Sequence, residues 1–346
     1  MGEPRMMAPE SPPDRPREAG FAKFRRDFRL RQETRRQLTA TLGNSPGIRV
    51  GRGPADLGES DVLVRREAEG FAVLISPYAP RRSAWSALRN RSAAYVCWLA
   101  QAGTHVREIS GNTSDGNELS CATYSFCSFG AQVPLPDYYF FRDRGYAAFR
   151  ETAAESAQPW DARSSEIIWR GGPNGLGLPA VDPAMTGHPA VVQRVAMAQR
   201  CKGTRVDFKF VAAACPGDEA IYARAGLMGA KVAAASWGGR RYAIDIDGYS
   251  NAWDNFFHRL LLGCCVLKVA SHFGYRQWYY DRLTPGEHYV SIRSDLSDLE
   301  EKVDWVLANP DEARDIAQAG QRVALEATWD GECARVGEVI ERNWAG

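Results

Sequence analysis

Arg241-Tyr242-Ala243-Ile244-Asp245-Ile246-Asp247-Gly248-Tyr249-Ser250-Asn251-Ala252-Trp253 is the stretch that decides the fold. A short apolar run breaks at an Asp-Gly pair, and an amphipathic helix is expected to start near Ala252 and close at Gly263. Such a strand, turn and helix form half of a βαβ unit. Ligands of α/β proteins gather at the carboxyl ends of strands, where the free amides and dipole of a helix N-terminus attract anions. Outward from this segment, Cys264 to Val269 reads as the next buried strand and His288 to Ile292 as another. Upstream, Glu166-Ile167-Ile168-Trp169 reads as a strand that runs into Arg170-Gly171-Gly172-Pro173-Asn174-Gly175. This rhythm predicts an α/β fold with a parallel sheet and covering helices.

At 346 residues the chain exceeds the ~250–300 residues at which single cores stop growing, so two domains are expected. Pro159 to Arg163 is the candidate linker. Forty-three basic against 42 acidic residues give a net charge of +1, which argues against a dedicated nucleic-acid binder. The first 20 residues, rich in Pro, Arg and Glu, are expected to be disordered, and the basic stretch Phe24 to Arg31 reads as a solvated helix face or a surface for anionic partners. Ser92 to Ala102 reads as a helix, and Ser297-Asp298-Leu299-Glu300 as a capping box with an apolar stripe behind it.

The eight cysteines include no C-x-x-C pair, and Cys264 and Cys265 sit in an apolar run as buried thiols, so a reducing compartment is expected. No signal-peptide core precedes them and no run reaches the ~18 apolar residues of a membrane span. The expectation is a cytoplasmic protein with at most peripheral membrane association.

Three polar groups are candidates for chemistry. Trp169-Arg170-Gly171-Gly172 puts a guanidinium at the mouth of a glycine loop, where it can hold a phosphate. Asp245-Ile246-Asp247 has two readings: a D-x-D pair holding a divalent cation against a nucleotide, or turn and cap residues for the following helix. Asn112-Thr113-Ser114-Asp115-Gly116 is a polar turn whose carboxylate suits a general base if it faces the second domain. No Ser/His/Asp or Cys/His arrangement stands out, and no G-x-G-x-x-G follows a strand, which disfavours a dinucleotide dehydrogenase.

Four blocks in order resemble glycosyltransferase family 90, the CAP10-type group that includes protein O-glucosyltransferases. They are Pro136 to Arg142, Ile168 to Gly172, Tyr242 to Lys268, and Gln277 to Pro285 leading on to Leu299. The resemblance implies a GT-B fold, in which two Rossmann-like domains face across a cleft. Here these are residues 21–160 on the acceptor side and 161–319 on the donor side, with a C-terminal helix within 320–346 packing back on the first. It implies an inverting transferase that takes a UDP-sugar as co-substrate and needs no metal or other cofactor. The acceptor implied is a glycan of lipopolysaccharide or capsule type.

Residue by residue, the resemblance makes Asp115 the base and Arg170, Gly171 and Gly172 donor contacts. Arg194 is the counterpart of a downstream donor arginine. Asp247, Gly248, Tyr249, Ser250, Asn251, Ala252, Trp253 and Asp254 form the rest of the donor segment. One departure stands out: Asp254 occupies a position where eukaryotic members place an arginine, so Arg259 or Lys268 is expected to meet the phosphates. Two other readings remain: a metal-dependent transferase using Asp245 and Asp247, and a catalytically silent binder of sugar nucleotides or glycans.

Overall fold

The computed structural model describes residues 20–79, 83–213 and 216–344. The expected disordered tail lies outside these residues except for Gly20, as does Cys215. The chain folds as α/β in two lobes, the first with a six-stranded sheet and the second with a three-stranded and a two-stranded sheet. Among the described residues no helix is long and apolar enough to cross a membrane.

The first lobe opens with helix α1 (Gly20–Leu42) and three strands, β1 (Ile48–Arg52), β2 (Asp61–Glu67) and β3 (Gly70–Ile75). Helix α2 (Ser83–Gln101) follows, then β4 (Glu108–Asn112), β5 (Tyr124–Ser125) and β6 (Val133–Pro134). The sheet order is β1-β3-β2-β4-β5-β6, and β2 runs antiparallel to both neighbours. This lobe is therefore a mixed sheet, not the purely parallel one that a Rossmann-like unit would have. The cause is local: only two residues, Ala68 and Glu69, join β2 to β3, enough for a hairpin but far too few for a parallel crossover. Helix α2 begins nine residues before the expected Ser92. Its first turns read as polar because of Arg89, Asn90 and Arg91, but all three are half-buried and Leu88 is fully buried.

Two short helices, α3 (Tyr138–Arg142) and α4 (Ala147–Glu155), lead out of the first lobe. Asp137 caps α3 by accepting from the Tyr139 and Phe140 amides at 2.8 and 3.1 Å.

The second lobe holds β7 (Ile167–Gly171), α5 (Gln193–Arg200), β8 (Val206–Phe210), α6 (Pro216–Arg224) and β9 (Tyr242–Asp245). It continues through α7 (Asp254–Leu261), β10 (Cys265–Val269), β11 (Val290–Ile292), α8 (Leu299–Ala308) and α9 (Pro310–Glu326). Every named strand pair here is parallel: β7 with β8, and β9-β10-β11 as one sheet. Side chains alternate across that sheet as a period of two requires. Tyr242, Ile244, Cys265 and Leu267 enter a core with Trp169, Phe208 and Val303, while Ala243 and Val266 face a second core. That second core is continuous with the first lobe, through Phe256, Phe257, Trp278, Phe140 and Trp98. An aromatic seam thus joins the lobes, and Phe140 lies 4.7 Å from Trp278 centroid to centroid.

Helix α10 (Trp329–Asn343) leaves the second lobe and lies on the first. Trp329 packs on Trp98, and Glu341 accepts from the Gly103 amide at 2.6 Å. The expected capping box at Ser297 does not form. Helix α8 starts at Leu299 after Asp298, whose carboxylate instead accepts from the Arg293 amide at 2.8 Å.

Candidate active site between the lobes

The loop between β9 and α7 runs to the lobe boundary. Gly248 donates its amide to Ser250 O at 2.7 Å, which folds the loop back on itself. Ser250 Oγ donates to the Asp115 carbonyl, and the Cys127 thiol donates to Asn251 Oδ1 at 2.8 Å. Asn251 Nδ2 donates to Tyr275 O at 3.2 Å. The segment singled out first in the sequence is therefore pinned to the first lobe by direct hydrogen bonds.

The helix expected near Ala252 starts at Asp254. Trp253 stands before it at φ 51°, a conformation that costs a bulky residue energy and needs tertiary support. The support comes from the other lobe. Arg91 of α2 lies over the Trp253 ring at 4.5 Å, and Tyr139 meets that ring edge-on at 5.6 Å.

Asp115 is fixed just as firmly. Asn112, at the end of β4, donates to buried Asp61 at 2.8 Å and accepts from the Ser114 amide at 3.0 Å. Thr113 donates to Ser60 O from both its amide and its hydroxyl. Gly116 adopts φ +95°, and a Cβ there would meet Cys127 O at 2.6 Å, so the turn requires glycine. Held this way, the Asp115 carboxylate is 42% exposed and pairs with Arg91 Nη2 at 2.8 Å.

Asp115, Tyr139, Asn174, Arg194 and the run Gly248 to Asp254 line one cavity of about 380 Å³. A second cavity of about 480 Å³ shares Gly248 with it and is walled by Leu176, Leu178, Val191, Phe273 and Tyr275. Arg194, on α5, is nearly buried at the edge of the first cavity and donates to Asp247 O, Ile246 O and Gly172 O at 2.8, 2.9 and 3.1 Å. Burial lowers its pKa to about 10, so it remains a cation at neutral pH. A Cβ on Gly248 would meet its guanidinium at 3.2 Å, which accounts for glycine there.

Three expected donor contacts lie elsewhere. Arg170 pairs with Asp207 across the β7–β8 ladder and donates to Ala230 O at 3.1 Å, so it turns away from the cavity. Arg259 is buried over the Trp237 ring at 4.0 Å. Lys268 is buried with its ammonium 2.8 Å from Asp245 and 3.7 Å from Asp247, and those carboxylates raise its pKa. Neither Arg259 nor Lys268 lines the cavity, against the expectation that one of them meets phosphates there. Gly171 and Gly172 do not line it either, although Gly172 contributes its carbonyl to Arg194.

The Asp245–Asp247 pair does not fit a divalent cation. Asp245 is fully buried and takes Asn255 Nδ2 at 3.0 Å as well as Lys268, so a fixed ammonium already answers both carboxylates. Among the described residues no cluster of His, Cys, Asp and Glu has the makings of a metal site. The residues that sequence reasoning missed are Arg91, Tyr139 and the 270–275 turn. Arg91 carried no motif, being one of two arginines on its helix.

Asp254 opens the α7 helix and faces the cavity. Burial pushes its carboxyl up to about 6, and the neighbouring Asp137 carboxyl adds to the shift. His258, 3.9 Å away, offers no charge in return, because burial and then Arg259 lower its pKa to about 3. An acid whose folded pKa is raised gives stability below its unfolded value near 3.8 and loses it as pH rises through 6. Asp254→Asn should therefore stabilise the protein at pH 8 by ~1 kcal/mol, a figure discounted because the side chain is 39% exposed, and the gain should vanish by pH 4. Urea unfolding at the two pH values checks this, and an equal effect at both would contradict it.

Comparison with known proteins places this geometry. Residues 189–328 match the model of glycosyl transferase family 90. Human protein O-glucosyltransferase 3 is 41% identical over 87 residues, which is 25% of this chain and 16% of that protein. Uncharacterized protein 179R of Invertebrate iridescent virus 6 is 39% identical over 83 residues, 22% of this chain and 7% of that protein. The chain thus spans only a small part of the length of the curated relatives it matches. Among solved structures, Anabaena Alr3699/HepE in complex with UDP-glucose aligns at 11% identity over 56% of this chain and 53% of that one, with a TM-score of 0.34. The matched segment contains Arg194, the whole Asp247–Asp254 loop and helix α7, and over it the chain is similar to glycosyltransferase family 90.

Proposed function

We propose that the chain is an inverting glycosyltransferase of GT-B type that moves a sugar from a UDP-sugar to a hydroxyl of a glycan acceptor, without a metal. The observation that carries this reading is that Asp115 from one lobe and the Gly248–Asp254 loop from the other line a single cavity and are hydrogen-bonded to each other. In a single displacement, Asp115 accepts the proton of the acceptor hydroxyl as its oxygen attacks the anomeric carbon, and UDP leaves from the opposite face. Arg194 and the amides at the start of α7 meet the departing diphosphate. The neighbouring cavity, walled by Leu176, Leu178, Phe273 and Tyr275, suits a flat nucleobase. The acceptor proposed is a lipopolysaccharide or capsule glycan.

Thermal-shift screening with UDP-glucose, UDP-galactose, UDP-xylose and UDP-glucuronate tests the donor class. One of them should raise the melting temperature by mass action, and product assays with that donor should show transfer or slow hydrolysis. Binding with no turnover of any donor or acceptor would favour the silent-binder reading, which the carboxylate at Asp254 motivates. Activity should be unchanged by excess EDTA. Loss of activity in chelator, restored by Mg²⁺ or Mn²⁺, would restore the metal-dependent alternative despite the Lys268 ammonium between Asp245 and Asp247.

A further inference from the structure

Helix α1 packs one face on α2 and β1 through Leu30, Thr34, Gln37, Leu38 and Thr41, all fully or nearly fully buried. Its opposite face carries Phe24 and Phe28, which are 65% and 43% exposed and stack on each other at 6.3 Å. Exposed Arg25, Arg29, Arg35 and Arg36 share that face. From Phe24 to Leu42 the helix has six arginines against one aspartate and one glutamate. Both acids are half-buried and engaged within the helix, Asp27 by Arg26 at 3.4 Å and Glu33 by Arg36 at 2.6 Å. A chain with a net charge of only +1 thus gathers cations around two exposed aromatic rings on one helix.

We infer that this face of α1 docks the protein onto an anionic phospholipid surface, with Phe24 and Phe28 entering the interface and the arginines meeting the headgroups. The combination identifies the partner. Cations alone would suit any polyanion, but paired aromatic rings on the same face gain most from an acyl boundary. Each basic side chain near an anionic leaflet strengthens attachment about fivefold, and the attraction weakens as salt rises. Helix α1 also packs against α2 and α3, the helices that supply Arg91 and Tyr139 to the cavity region. Attachment there would hold the cavity near the bilayer, where a lipid-linked acceptor would lie.

Sedimentation of the full chain with vesicles tests this and does not read transfer, so its failure would leave the proposed activity standing. The protein should pellet with phosphatidylglycerol–phosphatidylethanolamine vesicles at low salt, and little with pure phosphatidylcholine. Phe24→Ser with Phe28→Ser, and separately Arg29→Glu with Arg35→Glu, should each lower partitioning at least about tenfold while leaving the melting temperature unchanged. Three results would overturn the inference: a wild-type protein that stays in the supernatant, equal binding to neutral vesicles, or capture of single-stranded RNA with no binding to vesicles.

Discussion

Asp115→Asn is expected to cut sugar transfer by about 10²–10⁴-fold while UDP binding stays within a few-fold of wild type. The split follows from the geometry. Asp115 lies on the first-lobe side of the cavity, whereas the groups proposed to hold the nucleotide, Arg194 and the start of α7, belong to the second lobe. Asparagine keeps the size of the side chain and loses only the proton-accepting carboxylate. The fold should tolerate the change, because the Arg91–Asp115 pair is partly exposed and such pairs contribute ~0–1 kcal/mol. Arg91 also keeps its bond to Thr113 O at 2.8 Å and its place over Trp253. Single-turnover assays with saturating donor, paired with UDP titration, check both halves. Near-wild-type turnover would remove Asp115 from the mechanism, and loss of UDP binding would make it a donor contact instead.

The largest stability effect is expected at Lys268. Its ammonium answers two carboxylates, one fully buried and one nearly so, and Asp247 is already pushed upward by burial despite that neighbour. Lys268→Met keeps most of the volume but strands both acids, and breaking a buried pair from one side costs about 3–5 kcal/mol. Denaturant unfolding at pH 8 should show that loss. At lower pH the stranded carboxyls take up protons and the loss should shrink. A change under ~1 kcal/mol at pH 8 would mean that the triad is not the electrostatic keystone of this strand end.

The strand, turn and helix around Asp245–Asp254 were legible because each step has a local cause. An apolar run continues the sheet, Asp-Gly breaks it, and the 3.6-residue stripe of Phe256, Phe257, Leu260 and Leu261 buries one helix face. Asp115 was singled out as a candidate base by its polar turn and by the resemblance, and the fold puts it on the cavity that the Gly248–Asp254 loop also lines. The helix start was misplaced by two residues because Trp253 holds a left-handed conformation that Arg91 and Tyr139 stabilise from the other lobe. Nothing adjacent in sequence announces those partners.

The charges were the least legible part. Arg170, Arg259 and Lys268 all read as phosphate ligands from their positions in motifs, yet each is satisfied within the second lobe. A cation's availability depends on which carboxylates and rings the fold sets beside it, and the carboxylates lie 21 to 37 residues away for Lys268 and Arg170. Arg91 shows the converse, an unremarkable helix arginine that the fold carries to Asp115.

The most direct test of the central claim, that the Gly248–Asp254 loop with Arg194 forms a metal-free donor site, is titration calorimetry of UDP into the full chain in excess EDTA. Saturable one-to-one binding is expected, weakened at least about tenfold by Arg194→Met, which removes a buried charge-assisted contact. No binding at millimolar UDP, or binding that appears only when a divalent cation is added, would contradict it.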